Sequence, residues 1–229
     1  MEIFIDVSSQ LASGFITTVL LFLLTLILAL PLGLLISFAT MSRFAPLRVF
    51  FKCLVWVLRG TPLMLQIFVV FYLPGLLNLF TWPMMNTGWK WFDDTISTRF
   101  LAALVAFVIN YAAYFSEIYR GGIQSTSKGQ YEASQVLGLT KSQTFFKVIL
   151  MQVIKKIVPP MSNEIITLVK DTSLANTIGV VELMFEGKTF MLDGLIWPIF
   201  YAGAFYLIFV GGLTLLFGYI EKKLSYYKV

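Results

Sequence analysis

The chain has 229 residues, 58% hydrophobic and 13% charged, with a formal net charge of +5. That balance describes a polytopic membrane protein and excludes a soluble domain, so the positive charge reads as orientation in a bilayer rather than affinity for nucleic acid. A lone cysteine, Cys53, excludes an internal disulfide or a thiolate metal cluster, and the lack of histidine removes the commonest general base, metal ligand and proton relay.

Hydrocarbon has no water to satisfy backbone groups, so spans must be helices or a closed barrel. The uncharged runs here reach about 20 residues or more, against roughly 10 alternating residues for a barrel strand, so the fold class is all-α. The start, Met1 to Asp6, is acidic and lacks the basic region of a signal peptide, so the run behind it reads as a retained span. No residue between Asp6 and Arg43 is charged, and the first span is placed at 15–38 with a kink expected at Pro31. Arg43, Arg48, Lys52 and Arg59 follow without an acid among them, which puts that loop in the cytoplasm. The second span, 60–80, opens at Arg59-Gly60-Thr61-Pro62; the apolar run Val49 to Leu58 before it suggests an earlier start with a bend here.

The loop to Arg99 carries Trp82, Trp89 and Trp91, with Asp93 and Asp94 against Lys90, and belongs outside. The third span, 100–119, is rich in alanine (Ala102, Ala103, Ala106, Ala112, Ala113), so close approach to its neighbours makes it central. Next comes a polar, basic stretch from Ser125 to Lys156, cytoplasmic by its lysines. Pro159-Pro160 opens the fourth span, 158–181, and the fifth lies at 196–220 before a tail with Lys222, Lys223 and Lys228. Five spans result, N-terminus outside and C-terminus in the cytoplasm, with 13 Lys/Arg on inner segments and three on outer ones. No repeat of fixed period is visible, so residues 1–229 form a single domain.

Within the polar stretch, Ser127-Lys128-Gly129-Gln130 and Thr140-Lys141-Ser142-Gln143 both fit the capping-box pattern, which predicts two short helices hinged near Gly138. By pattern alone the second is either an interfacial helix resting on anionic membrane lipid or a docking element for a partner. Charged groups within spans are costly and face a polar cavity or one another. The candidates for a substrate pathway are Asn110, Glu164, Lys170, Asp171, Thr172 and Ser173. Glu164 is placed either to attract an ammonium group or to hold a neighbouring helix. Lys170 and Asp171 either face the pathway or serve structure, by pairing or by capping a helix end, and Asn110 either faces the pathway or bonds across the bundle.

Tyr131-Glu132-Ala133-Ser134-Gln135-Val136-Leu137-Gly138, followed by Ile149-Leu150, resembles the EAA loop of ABC-importer permeases. Around it, Arg59-Gly60-Thr61-Pro62-Leu63, Asn110-Tyr111-Ala112-Ala113-Tyr114, Glu117 to Ile123, Asn163-Glu164 and Lys170 to Leu174 resemble the polar amino-acid (histidine/glutamine/arginine-type) permease family. The resemblance covers nearly the whole chain. Ser134 stands where a second alanine is usual, and Met151 where proline usually follows Ile-Leu.

The resemblance implies a type I ABC importer permease (MetI-like) fold in the bacterial plasma (inner) membrane. It implies pairing with a second permease, identical or related, with two ABC ATPase subunits that carry ATP and Mg, and with an extracellular or periplasmic binding protein that delivers an amino acid. Residues 125–150 would then be the coupling region, with Glu132, Ala133, Ser134, Leu137 and Gly138 at the ATPase contact.

No catalytic residues, metal site or bound cofactor are expected in this chain. The run Gly187-Lys188-Thr189 imitates a phosphate loop, but Glu182 stands where the earlier glycine is needed. An intramembrane enzyme is disfavoured by the missing histidine and nucleophile elbow. An ion-coupled amino-acid carrier working without an ATPase is the alternative; it would use Glu164 or Asp171 as its ion site. These motifs do not name the amino acid.

Overall fold

The computed structural model describes residues 1–84 and 95–225, so Trp89, Lys90, Trp91, Asp93, Asp94 and Lys228 lie outside the described residues. All regular structure among the described residues is helical. The order is α1 (Glu2–Thr40), α2 (Ala45–Gly60), α3 (Leu63–Leu76), α4 (Thr98–Gln124), α5 (Lys128–Val136), α6 (Lys141–Thr144), α7 (Leu150–Asp171), α8 (Leu183–Leu192) and α9 (Trp197–Leu224). A π-helical turn, Phe145–Ile149, joins α6 to α7, and a 3-10 stretch, Thr172–Ile178, continues α7.

Helices α1, α4 and α9 are long and apolar enough to cross a membrane, and α2 with α3 forms a further candidate bent by 108°. With 39 residues, α1 runs about 58 Å at the usual rise per residue. Pro31 lies inside it without ending it. Its buried residues recur every three or four positions, among them Leu11, Gly14, Thr18, Leu21, Thr25, Ala29 and Gly33, giving one seam along the helix. The seam packs chiefly on α4, whose Ala102, Ala103, Ala106, Ala112 and Ala113 are all buried. Small side chains on both faces bring the backbones close: a Cβ built on Gly33 would lie 2.9 Å from the Ala112 carbonyl oxygen. By contrast, Phe200, Leu207, Ile208 and Leu215 of α9 are exposed.

The break between α2 and α3 follows from one proline. Pro62 has no N–H, so the carbonyl of Leu58 loses the helical donor four residues on. Gln66 replaces it, its Nε2 donating to Leu58 O at 2.7 Å and to Thr61 Oγ1 at 2.8 Å. The Thr61 hydroxyl in turn donates to Val57 O at 2.9 Å. From α4, Asn110 Nδ2 donates to Gln66 Oε1 at 3.1 Å and reaches Leu58 O at 3.4 Å. Two amides thus satisfy the carbonyls of a sharp elbow and pin it to α4.

Pro159 and Pro160, where the fourth span is placed to open, lie inside α7, and helical structure runs without interruption from Lys141 to Asp171. The helix begins at the capping box of Thr140 and Gln143, which forms in both directions (2.9 and 3.3 Å). Once started there, it is carried through the prolines by the hydrogen bonds on either side. The other expected capping box is not made: Ser127 precedes α5 with no side-chain cap. Helix α5 closes at its C-terminus instead. Leu139 N bonds Ser134 O at 3.0 Å and Gly138 N bonds Gln135 O at 2.9 Å, with Gly138 at φ +72°. This is a Schellman motif, and the left-handed residue it requires is the glycine.

Two expectations for stability follow. Gly33→Val overpacks the α1–α4 seam and destabilises the protein by about 1–3 kcal/mol, whereas Gly211→Val, with open space around it, does not; thermal unfolding in detergent separates the two. Gln66→Leu leaves the Leu58 carbonyl to the distant Asn110 amide alone and costs about 1–3 kcal/mol. A melting temperature equal to wild type for Gln66→Leu would refute the account of the elbow.

Candidate functional site

A cavity of about 590 Å³ lies where the elbow, α4 and α7 meet. Helical spacing brings Asn110, Tyr111 and Tyr114 to it from α4, and Glu164, Thr167 and Asp171 to it from α7, at steps of three and four. The elbow adds Arg59 and Thr61. Tyr111 is 2% exposed and its hydroxyl donates to Asp171 Oδ2 at 2.6 Å, which ties α4 to α7 across the back of the cavity. Glu164 has no hydrogen bond to a described residue, so its carboxylate is open to the space it lines.

The six pathway candidates divide evenly. Asn110, Glu164 and Asp171 come together on the cavity. Lys170 is exposed and does not line it. Thr172 is fully buried with its hydroxyl donating to Val169 O at 2.6 Å, and Ser173 donates to Lys170 O at 2.7 Å, so both hydroxyl protons go to carbonyls of the preceding helical turn. No ion pair joins Lys170 to Asp171 among the described residues.

Next to this cavity a second, of about 480 Å³, is lined by Lys52, Trp56, Arg59, Glu117 and Arg120. Arg120 grips Glu117 with two nitrogens, Nε to Oε1 at 2.9 Å and NH2 to Oε2 at 2.5 Å. Arg59 lines both spaces, 3.8 Å from Glu117 and with its Cζ over the Tyr114 ring, 5.0 Å from the centroid. The sequence showed Arg59, Tyr111, Tyr114 and Glu117 only as members of motifs. Their convergence depends on the elbow.

Glu182 is a structural residue that the sequence pattern does not single out. It is fully buried and caps α8, accepting from Met184 N and Phe185 N at 2.8 Å each and from the Tyr206 hydroxyl at 3.0 Å. A cluster from α1, α8 and α9 surrounds that end of the molecule. The one legible signal was an acidic residue directly before an apolar helical run. Gly187, Lys188 and Thr189 all lie inside α8, which makes a phosphate-cradling loop there impossible.

On the segment after α4, Glu132, Ala133, Leu137 and Gly138 are exposed, while Ser134 is buried and donates to Gln130 O at 2.7 Å. Val136 (88% exposed) and Leu137 (76%) are left bare of any contact that would cover them. Phe146, on the π-helical turn, is likewise exposed.

Residues 29–226 match the family model described as the binding-protein-dependent transport system inner membrane component. The chain is 37% identical over 220 residues to the L-cystine transport system permease protein TcyB of Bacillus subtilis, covering 95% of this chain and 87% of that one. It is 32% identical over 219 residues to the arginine ABC transporter permease protein ArtM of Haemophilus influenzae, covering 94% and 92%. Among solved structures, that of an amino acid ABC transporter with histidines superposes at a TM-score of 0.79 and 27% identity over 96% of both chains. The MetNI methionine ABC transporter shares the fold at a TM-score of 0.66 and 16% identity over 95% of both chains. By sequence and by its all-helical MetI-like fold, this chain belongs to the inner-membrane permease components of binding-protein-dependent transport systems.

Proposed function

We propose that the chain is the transmembrane subunit of an ATP-driven importer that receives an amino acid from an external binding protein and passes it inward by alternating access. The observation that carries this reading is the helical run from Lys141 to Asp171. One end adjoins the exposed segment around Glu132 and Gly138, and the other presents Glu164 and Asp171 to the cavity. A push at the first end displaces the second, because a hydrogen-bonded helix transmits axial movement with little loss.

In this reading α1, the α2–α3 pair, α4, α7 with its 3-10 extension, and α9 make five crossings of a bacterial inner membrane. The first residues face outward and the last face the cytoplasm, as the lysine and arginine distribution supports. Residues 125–150 meet one of two ATPase subunits, which hold ATP and Mg. Exposed Val136 and Leu137 supply apolar contact and Glu132 a charged acceptor, while Gly138 provides the turn between α5 and α6. A second permease subunit, identical or related, completes the pathway. Glu164 faces the substrate ammonium, with Asp171 and Asn110 beside it. The relatives' names, for cystine and arginine transport, support an amino acid as cargo.

Two measurements test the reading. Glu132→Ala combined with Gly138→Asp should abolish stimulated ATP hydrolysis and assembly of the complex; hydrolysis at the wild-type level would remove the docking assignment. Glu164→Gln at equal expression should lower uptake about tenfold or more, the equivalent of one lost charged contact. Undiminished uptake of every amino acid tried would take Glu164 out of the pathway. In the same cells, uptake that fails on ATP depletion but survives collapse of the ion gradient is expected, and the opposite result would favour an ion-coupled carrier.

A further inference from the structure

Two arginines flank Glu117, and they are bound very differently. The Arg120 guanidinium is fully engaged, with Nε and NH2 on Glu117 and NH1 on Gln124 Oε1 at 3.0 Å. Arg59 makes no hydrogen bond to any described residue. Glu117 attracts it only across 3.8 Å, and its Cζ lies over the Tyr114 ring, 5.0 Å from the centroid. A cation held over an aromatic face spends none of its N–H donors on that contact. Arg59 also lines the cavity that holds Glu164 and Asp171. An arginine with only a structural role would be expected to use its donors as Arg120 does.

The charges in the cavity sharpen the point. Two carboxylates and one guanidinium line it, so without Arg59 the space would favour any small amine. With Arg59 it presents opposite charges to the two ends of a zwitterion. Resting on the importer reading above, we propose that Arg59 is the carboxylate-reading residue of this cavity, holding the substrate α-carboxylate while the ammonium faces Glu164 and Asp171. Arg59 thereby becomes the group that distinguishes an amino acid from the corresponding amine. The planar fork of arginine matches a carboxylate in two parallel hydrogen bonds, a geometry lysine lacks.

The test uses the purified permease–ATPase complex without its binding protein, so that only the cavity selects. Affinities are measured for L-arginine against agmatine, which lacks its one α-carboxylate, and for L-cystine against cystamine, which lacks both of its α-carboxylates. Wild type should bind at least one amino acid about tenfold more tightly than its amine, as a charge-assisted bidentate contact implies. Arg59→Gln should bring the two affinities to near equality by weakening the amino acid and sparing the amine. Arg59→Lys should fall between, and it decides the matter if the Gln variant does not assemble. Wild-type preference retained in the Gln variant, or in the Lys variant where only that one assembles, overturns the assignment. Glu164→Gln should weaken both members of a pair. If it weakens both while Arg59→Gln keeps the preference, only the Arg59 proposal fails. If it weakens neither, or if wild type binds none of the four compounds, the cavity is not the ammonium site and the proposal falls with it.

Discussion

Pro62 leaves the Leu58 carbonyl without its helical donor, and much of the molecule is arranged around the answer. In a low-dielectric setting an unsatisfied carbonyl is costly, so a break in a helix persists only where side chains replace the missing bond. Gln66 does so from the next helix and Asn110 from α4. Because the same amide of Asn110 also bonds Gln66, the elbow angle and its position on α4 are fixed together. That geometry sets Arg59 at the mouth of the cavity and turns Thr61 toward α4 and α7.

The second organising feature is mechanical. From Thr140 onward the chain is capped, passes through one π-helical turn and continues past two prolines to Asp171. π-helical turns are uncommon and often mark functional positions. Here the turn separates the exposed segment from the part of the helix that reaches the cavity. Met151, which replaces a usual proline, sits just beyond it inside α7. Helical hydrogen bonding therefore continues through the position where a proline would have removed one bond. At the opposite end, the left-handed Gly179 and the buried carboxylate of Glu182 turn the chain into α8.

Electrostatics divide the arginines and acids by degree of engagement. Glu117 is saturated by Arg120, and Asp171 accepts the Tyr111 hydroxyl. Arg59 and Glu164 remain open on a shared space. Charges beside apolar helices are costly, and these two are placed together on one polar space rather than on lipid-facing surface.

Some of this was readable from the residues. The all-helical class followed from uncharged runs, and a central α4 from its alanines, because composition reports directly on solvation and on how closely helices can approach. The motif sequence around Glu132 and Gly138 pointed to the family, and Gly138 to a turn, since only glycine takes that backbone readily. Other features lay beyond the sequence. Whether Pro159 and Pro160 start a helix or sit within one depends on a cap nineteen residues earlier, at Thr140. Whether a polar residue faces a cavity or bonds its own helix, as Glu164 and Thr172 do respectively, depends on which neighbours the fold supplies. The sequence by itself determined the solvent, the all-helical class and the kinship of the chain, which are local and compositional properties. The tertiary structure decided which charges meet, because Arg59, Tyr111 and Glu164 are far apart in the chain and are joined only by an elbow that Gln66 and Asn110 hold.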